Sequence, residues 1–227
     1  MQVSKNLFAK VNQYILLVCV ALMVSGCAVR MDNVHRVSLD DDITYILQPI
    51  PETLTNTGIQ ALFNIKQGSQ QGKENQFMIQ VEMTTSRLLV SAYTVEGFSL
   101  FTLDWHTDVG TLVYDKKIAI DPLRVLAELQ LVLWPSSDVA QGLEQGQLKV
   151  LSVTYREISS NNDVIYQIKQ QDNISQLTNV KADYSIVIEE LDRWSLLDEK
   201  LDGKSGEKLD ENGLVNELTS DNMEIAP

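Results

Sequence analysis

From Ile59 to Tyr114 the chain is a run of short apolar segments separated by gaps that only hairpins can bridge. Phe77-Met78-Ile79-Gln80-Val81-Glu82-Met83 sets the pattern, with Phe77, Ile79, Val81 and Met83 on one face and Gln80 and Glu82 on the other. Successive side chains of a strand point to opposite faces, so this alternation predicts a half-buried strand. Ile59–Ile65 precedes it. Arg87–Val95 and Phe98–Trp105 follow, divided by Glu96-Gly97, which suits a tight turn. Thr111–Tyr114 comes after Gly110. A parallel pair needs a crossover of about a dozen residues or more, and these gaps are shorter, so the sheet is expected to be antiparallel.

One helix interrupts the strands. Asp121 can cap it and Pro122 fits its first turn, where the missing N–H is no loss. Leu123, Val125, Leu126, Leu129, Val132 and Leu133 make it apolar nearly all round, and only Arg124, Glu128 and Gln130 are strongly polar. Such a helix belongs in an interior. Pro135 ends it by disfavouring helical geometry at Trp134. Ser136–Gly146 is turn-rich, with room for a short second helix. Strands resume at Leu148–Arg156, Val164–Ile168 and Tyr184–Glu189, with Asn161-Asn162-Asp163 as the turn between the first two. Ile174–Val180 reads as a short strand and Leu191–Leu197 as a closing helical turn. Leu88–Val95 and Leu148–Tyr155 are apolar on both faces, which suggests a curved or stacked sheet.

The N-terminus addresses location. Lys5 and Lys10 precede an apolar run from Tyr14 to Val24, and Val24-Ser25-Gly26-Cys27 follows. A basic start, a short apolar stretch and small residues at the cut make a secretory signal. With Cys directly after the cut, the pattern is a bacterial lipobox: Val24, Ser25 and Gly26 precede Cys27, whose thiol would receive a diacylglycerol. The run is too short for a bilayer core, which needs about 20 apolar residues. Several acyl chains, at ~0.8 kcal/mol per buried methylene, would hold the protein on a membrane. Ala28 in place of Asp points, by likeness to enterobacterial lipoproteins, to the periplasmic face of the outer membrane. Residues 1–26 are then a signal peptide, 27–42 a lipidated tether, 43–197 a single domain and 198–227 an acidic tail whose composition predicts disorder.

The formal charge is −13, and without the signal it falls to roughly −15. A chain this acidic, with no dense run of Lys or Arg, is a poor partner for nucleic acid. With Cys19 discarded and Cys27 acylated, the fold has no disulfide. Asp104, His106 and Asp108 share one face of a strand but lack the further ligands a metal centre needs. His35 lies in the polar tether and Asp40-Asp41-Asp42 reads as a solvated triplet. Gly68-Ser69-Gln70-Gln71-Gly72-Lys73 has one residue too few for a phosphate loop, and Glu74 stands where Ser or Thr would bind magnesium. No catalytic residue, metal or cofactor is expected, and the function is read as non-enzymatic.

Val125–Pro135, reading VLAELQLVLWP, resembles the central motif of a family of bacterial lipoproteins of unknown function, a Leu-rich helix with Gln before an apolar-Trp-Pro ending. Arg156-Glu157-Ile158 and Val164–Ile168 resemble its downstream pattern, and the likeness spans roughly residues 45–195. Genes of that family are often found in clusters for aryl polyenes, which implies a lipid-linked pigment as ligand. The order of strands, helix and strands is also similar to the LolA/LolB lipoprotein carriers, which implies an incomplete β-barrel around an acyl-binding cavity. The expectation is therefore a mainly β (α+β) fold: a curved antiparallel sheet with one main helix, Pro122–Leu133, on its concave face. Its cavity would be lined by Phe77, Ile79, Val81, Leu89, Phe101, Leu103, Leu126, Leu129 and Trp134. The expected partners are a membrane through the N-terminal lipid, an acyl or polyene-lipid ligand, and envelope biosynthesis or transport proteins. The alternative is a structural or assembly subunit of an envelope biosynthesis complex.

Overall fold

A computed structural model describes residues 29–33, 35–68 and 75–197. The signal segment, Val24, Ser25, Gly26 and Cys27, most of the Gly68–Lys73 loop and the tail from Asp198 lie outside the described residues. The chain divides after Leu196, and the fold below is that of the unit preceding this point.

Among the described residues, eleven antiparallel strands form one open sheet. One meander comprises β4 (Thr57–Gln67), β5 (Asn75–Met83), β6 (Arg87–Tyr93), β7 (Ser99–His106) and β8 (Thr111–Lys116). The other comprises β9 (Gln147–Ser152), β10 (Tyr155–Ser160), β11 (Asp163–Gln171), β12 (Ile174–Asn179) and β13 (Tyr184–Ser195). The two meanders are sewn together where β13 pairs with β4, from Tyr184 opposite Gln67 to Ser195 opposite Thr57. The short strand β1 (Val29–Met31) adds to β8, so β1 and β9 are the outer strands and the sheet does not close into a barrel. The turns follow local chemistry. Gly97 takes φ +90° between β6 and β7, and Asn161 and Asn162 take φ 51° and 71° between β10 and β11. Consecutive left-handed residues match the twist of a two-residue hairpin, and Asn tolerates that region.

Helix α1 (Pro122–Leu133) fits its sequence signals. Asp121 accepts hydrogen bonds from the Leu123 and Arg124 amides, and Trp134 leaves the helix in an extended conformation. Every residue from Leu126 to Val132 is buried. Strands β4, β5, β7, β12 and β13 all turn side chains toward its Val125–Val132 stripe, and Arg156 on β10 reaches its C-terminus. A single 12-residue helix meets strands of both meanders only because the sheet bends around it.

A helix apolar on all sides also needs a cover on the side away from the sheet. The chain between Arg36 and Leu54 supplies it, which corrects the reading of residues 27–42 as a free tether. Strands β2 (Arg36–Asp40) and β3 (Ile43–Ile46) form a hairpin that buries Val37, Leu39, Ile43 and Tyr45. Their alternation with polar neighbours is the signal that a merely polar reading of the segment overlooks. Asp40 is likewise not solvated alone: Lys181 binds Asp40 at 2.8 Å and Asp41 at 3.3 Å. Gln130, fully buried, accepts from the Gln48 amide at 2.8 Å and donates to the Gln48 carbonyl at 3.0 Å, as a neighbouring strand would. Trp134 Nε1 donates to the Pro49 carbonyl at 2.8 Å. The Gln and Trp of the VLAELQLVLWP motif thus pin the covering segment to the helix.

Two further expectations change, and a third holds. Leu148–Arg156 is not one strand: it breaks at Val153-Thr154 into β9 and β10. Leu191–Leu197 is not mainly helical, because β13 runs on to Ser195 opposite β4. A second helix, α2 (Ser136–Gly142), does form within the turn-rich stretch after Pro135.

Candidate functional site: an apolar cavity between helix and sheet

Between α1 and the sheet lies a cavity of about 610 Å³. Phe63 and Ile65 of β4, Phe77 and Ile79 of β5, and Leu100 and Phe101 of β7 form one wall. Leu177 of β12 with Ile186 and Ile188 of β13 form another. The helix contributes Val125, Glu128, Leu129 and Val132, the spacing of one helical face. The Phe77 ring stacks on Phe63 at 5.7 Å and meets Phe101 edge-on at 6.4 Å, which holds the three rings in fixed orientation. Asn75, Gln76 and Ile118 are exposed lining residues and mark the opening, beside Ala119 and Ile120. The volume lies within the range of small-molecule sites, and the lining is mostly apolar as such sites require.

Of the nine residues expected to line a cavity, Phe77, Ile79, Phe101 and Leu129 do so. The others are corrected. Val81 and Leu103 are buried one register level further along the sheet, each opposite Val90, in filled core. Leu126 is buried but lies off the helix stripe that faces the cavity, and Trp134 turns to Pro49. Leu89 faces the opposite side of the sheet, since buried Leu88 and Val90 flank it. Leu88 and Leu89 are both apolar, so composition does not choose between them. The pairing of Val81 with Val90 sets the register, and a slip of one residue reverses every side chain.

A polar network borders the cavity that sequence reasoning did not single out. Glu128, 8% exposed, accepts at Oε1 from Arg124 Nε at 3.0 Å, from Tyr166 OH at 3.3 Å and from Tyr184 OH. Arg124 also donates to the Leu39 carbonyl and to both tyrosine hydroxyls. Burial, then the Glu128 charge, push the Tyr166 and Tyr184 hydroxyls above the usual phenol range, so both act as neutral donors. Burial opposes the Arg124 charge, but Tyr166, Glu128 and Tyr184 outweigh it and stabilise the guanidinium. The available signal was the i, i+4 spacing of Arg124 and Glu128 on an otherwise apolar helix.

The histidine strand end has a different explanation. Arg87 holds Asp104 through two bonds of 2.7 and 2.9 Å, with His106 Nε2 at 3.5 Å, and Asp108 accepts from the Val109 amide. Among the described residues, no group of three His, Cys, Asp or Glu side chains is placed to hold a metal ion. The Arg156-Glu157-Ile158 segment is structural: Arg156 lies buried against the helix C-terminus and Ile158 is in the core.

No curated protein gives a significant match to the chain. Residues 64–192, from the seam strand β4 through α1 to the end of the second meander, match the family described as "Protein of unknown function (DUF3261)". This match covers more than half of the sequence, and the chain belongs to that family.

Proposed function

We propose that this protein is a lipoprotein of the outer membrane, acylated at Cys27, whose cavity binds or hands over an acyl or polyene-lipid chain without catalysing a reaction. The observation that carries the reading is the cavity: about 610 Å³, open at the Ile118–Ile120 end and lined mainly by apolar side chains of both meanders and α1. An open apolar space of this size is stable in water chiefly when its occupant is also apolar. The curved open sheet around a helix is in keeping with the LolA/LolB likeness, and the lipobox with attachment to the same compartment as a lipid-linked pigment.

The competing reading is an assembly subunit. It draws on outer strand β9, whose free edge carries exposed Val150 and Leu151 beside fully exposed Val153. An apolar unpaired edge is a place where another chain can add a strand. Mass spectrometry of lipid extracted from the purified protein separates the two. A stoichiometric acyl or polyene species, lost when Leu129→Trp fills the cavity, supports the carrier. Lipid-free protein that co-purifies with a partner bound at β9 supports assembly.

A further inference from the structure

Glu128 has a role in the cavity that its structural bonds leave open. It is the one buried polar side chain among the lining residues; Asn75 and Gln76 are exposed at the opening. The hydrogen bonds it accepts from the described residues all end on Oε1, from Arg124, Tyr166 and Tyr184. Those donors approach from outside the cavity, since none of the three lines it. They fix the carboxylate in one orientation and Arg124 already balances its charge. Oε2 is then a preorganised acceptor at the wall of an otherwise apolar space. A carboxylate oxygen that faces an apolar cavity is poorly solvated, and a bound donor relieves that cost.

We infer that Glu128 is a polar anchor for the ligand: Oε2 accepts a hydrogen bond from an uncharged hydroxyl or amide N–H on an otherwise apolar chain. The inference rests on the reading of the cavity as a ligand site and names the ligand class. A free fatty acid is disfavoured, because its carboxylate would meet that of Glu128 with no cation among the described lining residues. An ether or hydrocarbon of equal length is disfavoured because it has no donor.

The test uses the purified full chain and N-phenyl-1-naphthylamine, whose fluorescence rises in an apolar site. The competitors are 1-decanol and 1-methoxydecane. The ether is the more apolar of the two, so the hydrophobic effect alone favours it. A hydrogen bond to a charged acceptor should reverse that order and let the alcohol displace the dye at about tenfold lower concentration. Glu128→Gln should reduce the advantage to a few-fold or less, and Glu128→Met should abolish it, with dye binding retained as the check on folding. If the wild type binds the dye but the ether competes as well as the alcohol, the anchor is overturned and the cavity reading survives. Persistence of the preference in Glu128→Met also overturns the anchor. Failure of the wild type to bind the dye overturns the cavity reading itself.

Discussion

Replacing Arg156 with Met should lower the melting temperature more than any surface substitution. Pro135 has no N–H, so the Leu131 carbonyl at the end of α1 has no helical donor. Arg156 supplies one through Nη2, and the same guanidinium donates to Val132 O at 3.1 Å, Trp134 O at 3.0 Å and Ser136 Oγ at 3.2 Å. Val132 O has a second donor in Gln170 Nε2 at 3.0 Å, so Met leaves chiefly the Leu131 and Trp134 carbonyls without partners. Each such buried carbonyl costs ~1–3 kcal/mol. Loss of a cation at the negative end of the helix dipole costs up to ~2 kcal/mol more. Against this, Met avoids burying a charge that burial already disfavours, as the lowered Arg156 pKa indicates. The net is ~3–5 kcal/mol, in line with breaking other buried polar networks. For a domain of this size that corresponds to a fall of roughly 6–20 °C. Circular dichroism melts of wild type, Arg156→Met and Arg156→Lys provide the assay, with Lys expected to lie between the other two. Arg156→Met melting within about 3 °C of wild type would refute the capping argument.

Burial pushes the hydroxyls of Tyr45, Tyr166 and Tyr184 above the phenol value of 10.0. A group with a raised folded pKa contributes stability that is intact below its unfolded pKa and declines above it. The denaturant midpoint should therefore hold up to about pH 10 and then fall, by up to ~1.4 kcal/mol per pH unit for each tyrosine. The Tyr45 hydroxyl is buried with no hydrogen-bond partner among the described residues, so Tyr45→Phe should cost less than about 1 kcal/mol at pH 7 and flatten the alkaline limb. Gly58→Ala should destabilise by ~1–3 kcal/mol, because Trp194 lies across it on the paired strand. An added Cβ would stand 2.0 Å from that ring, and a double-mutant cycle with Trp194→Ala should recover most of the loss. Cys27→Ser should leave an unprocessed precursor with an unchanged melting curve, checked by membrane fractionation and intact mass; wild-type protein without acyl mass at Cys27 would remove the membrane assignment.

What the sequence reveals here depends on how local the cause is. The hairpins of the first meander and the ends of α1 are legible because their signals lie within a few residues: alternation at Phe77–Met83, the Asp121-Pro122 start, the Trp134-Pro135 stop. The cover over the helix is not, because Val37, Leu39 and Tyr45 pack against residues about 90 positions away. The β9–β10 break escapes notice because its two turn residues, Val153 and Thr154, are β-branched types common in strands, and Val153 is apolar although fully exposed. β13 continues past Glu190 because β4 offers a partner as far as Thr57, which a local reading of Leu191–Leu197 cannot see. At the site, the aromatic and aliphatic lining from β5, β7 and α1 is partly legible from alternation. The β12 and β13 wall and the Arg124–Glu128–Tyr184 network are not, since they depend on which strand closes against which.

The central claim is that an alkyl chain enters between α1 and the sheet. The most direct measurement is a methyl NMR spectrum of the protein titrated with a long-chain alcohol bearing a nitroxide on its alkyl chain. Selective broadening of the methyls of Ile65, Ile79, Leu129, Val132 and Ile186, with those of Val150, Leu151 and Val153 on and beside outer strand β9 unaffected, is the predicted result. Broadening confined to the β9 methyls, or none at any position, would contradict it.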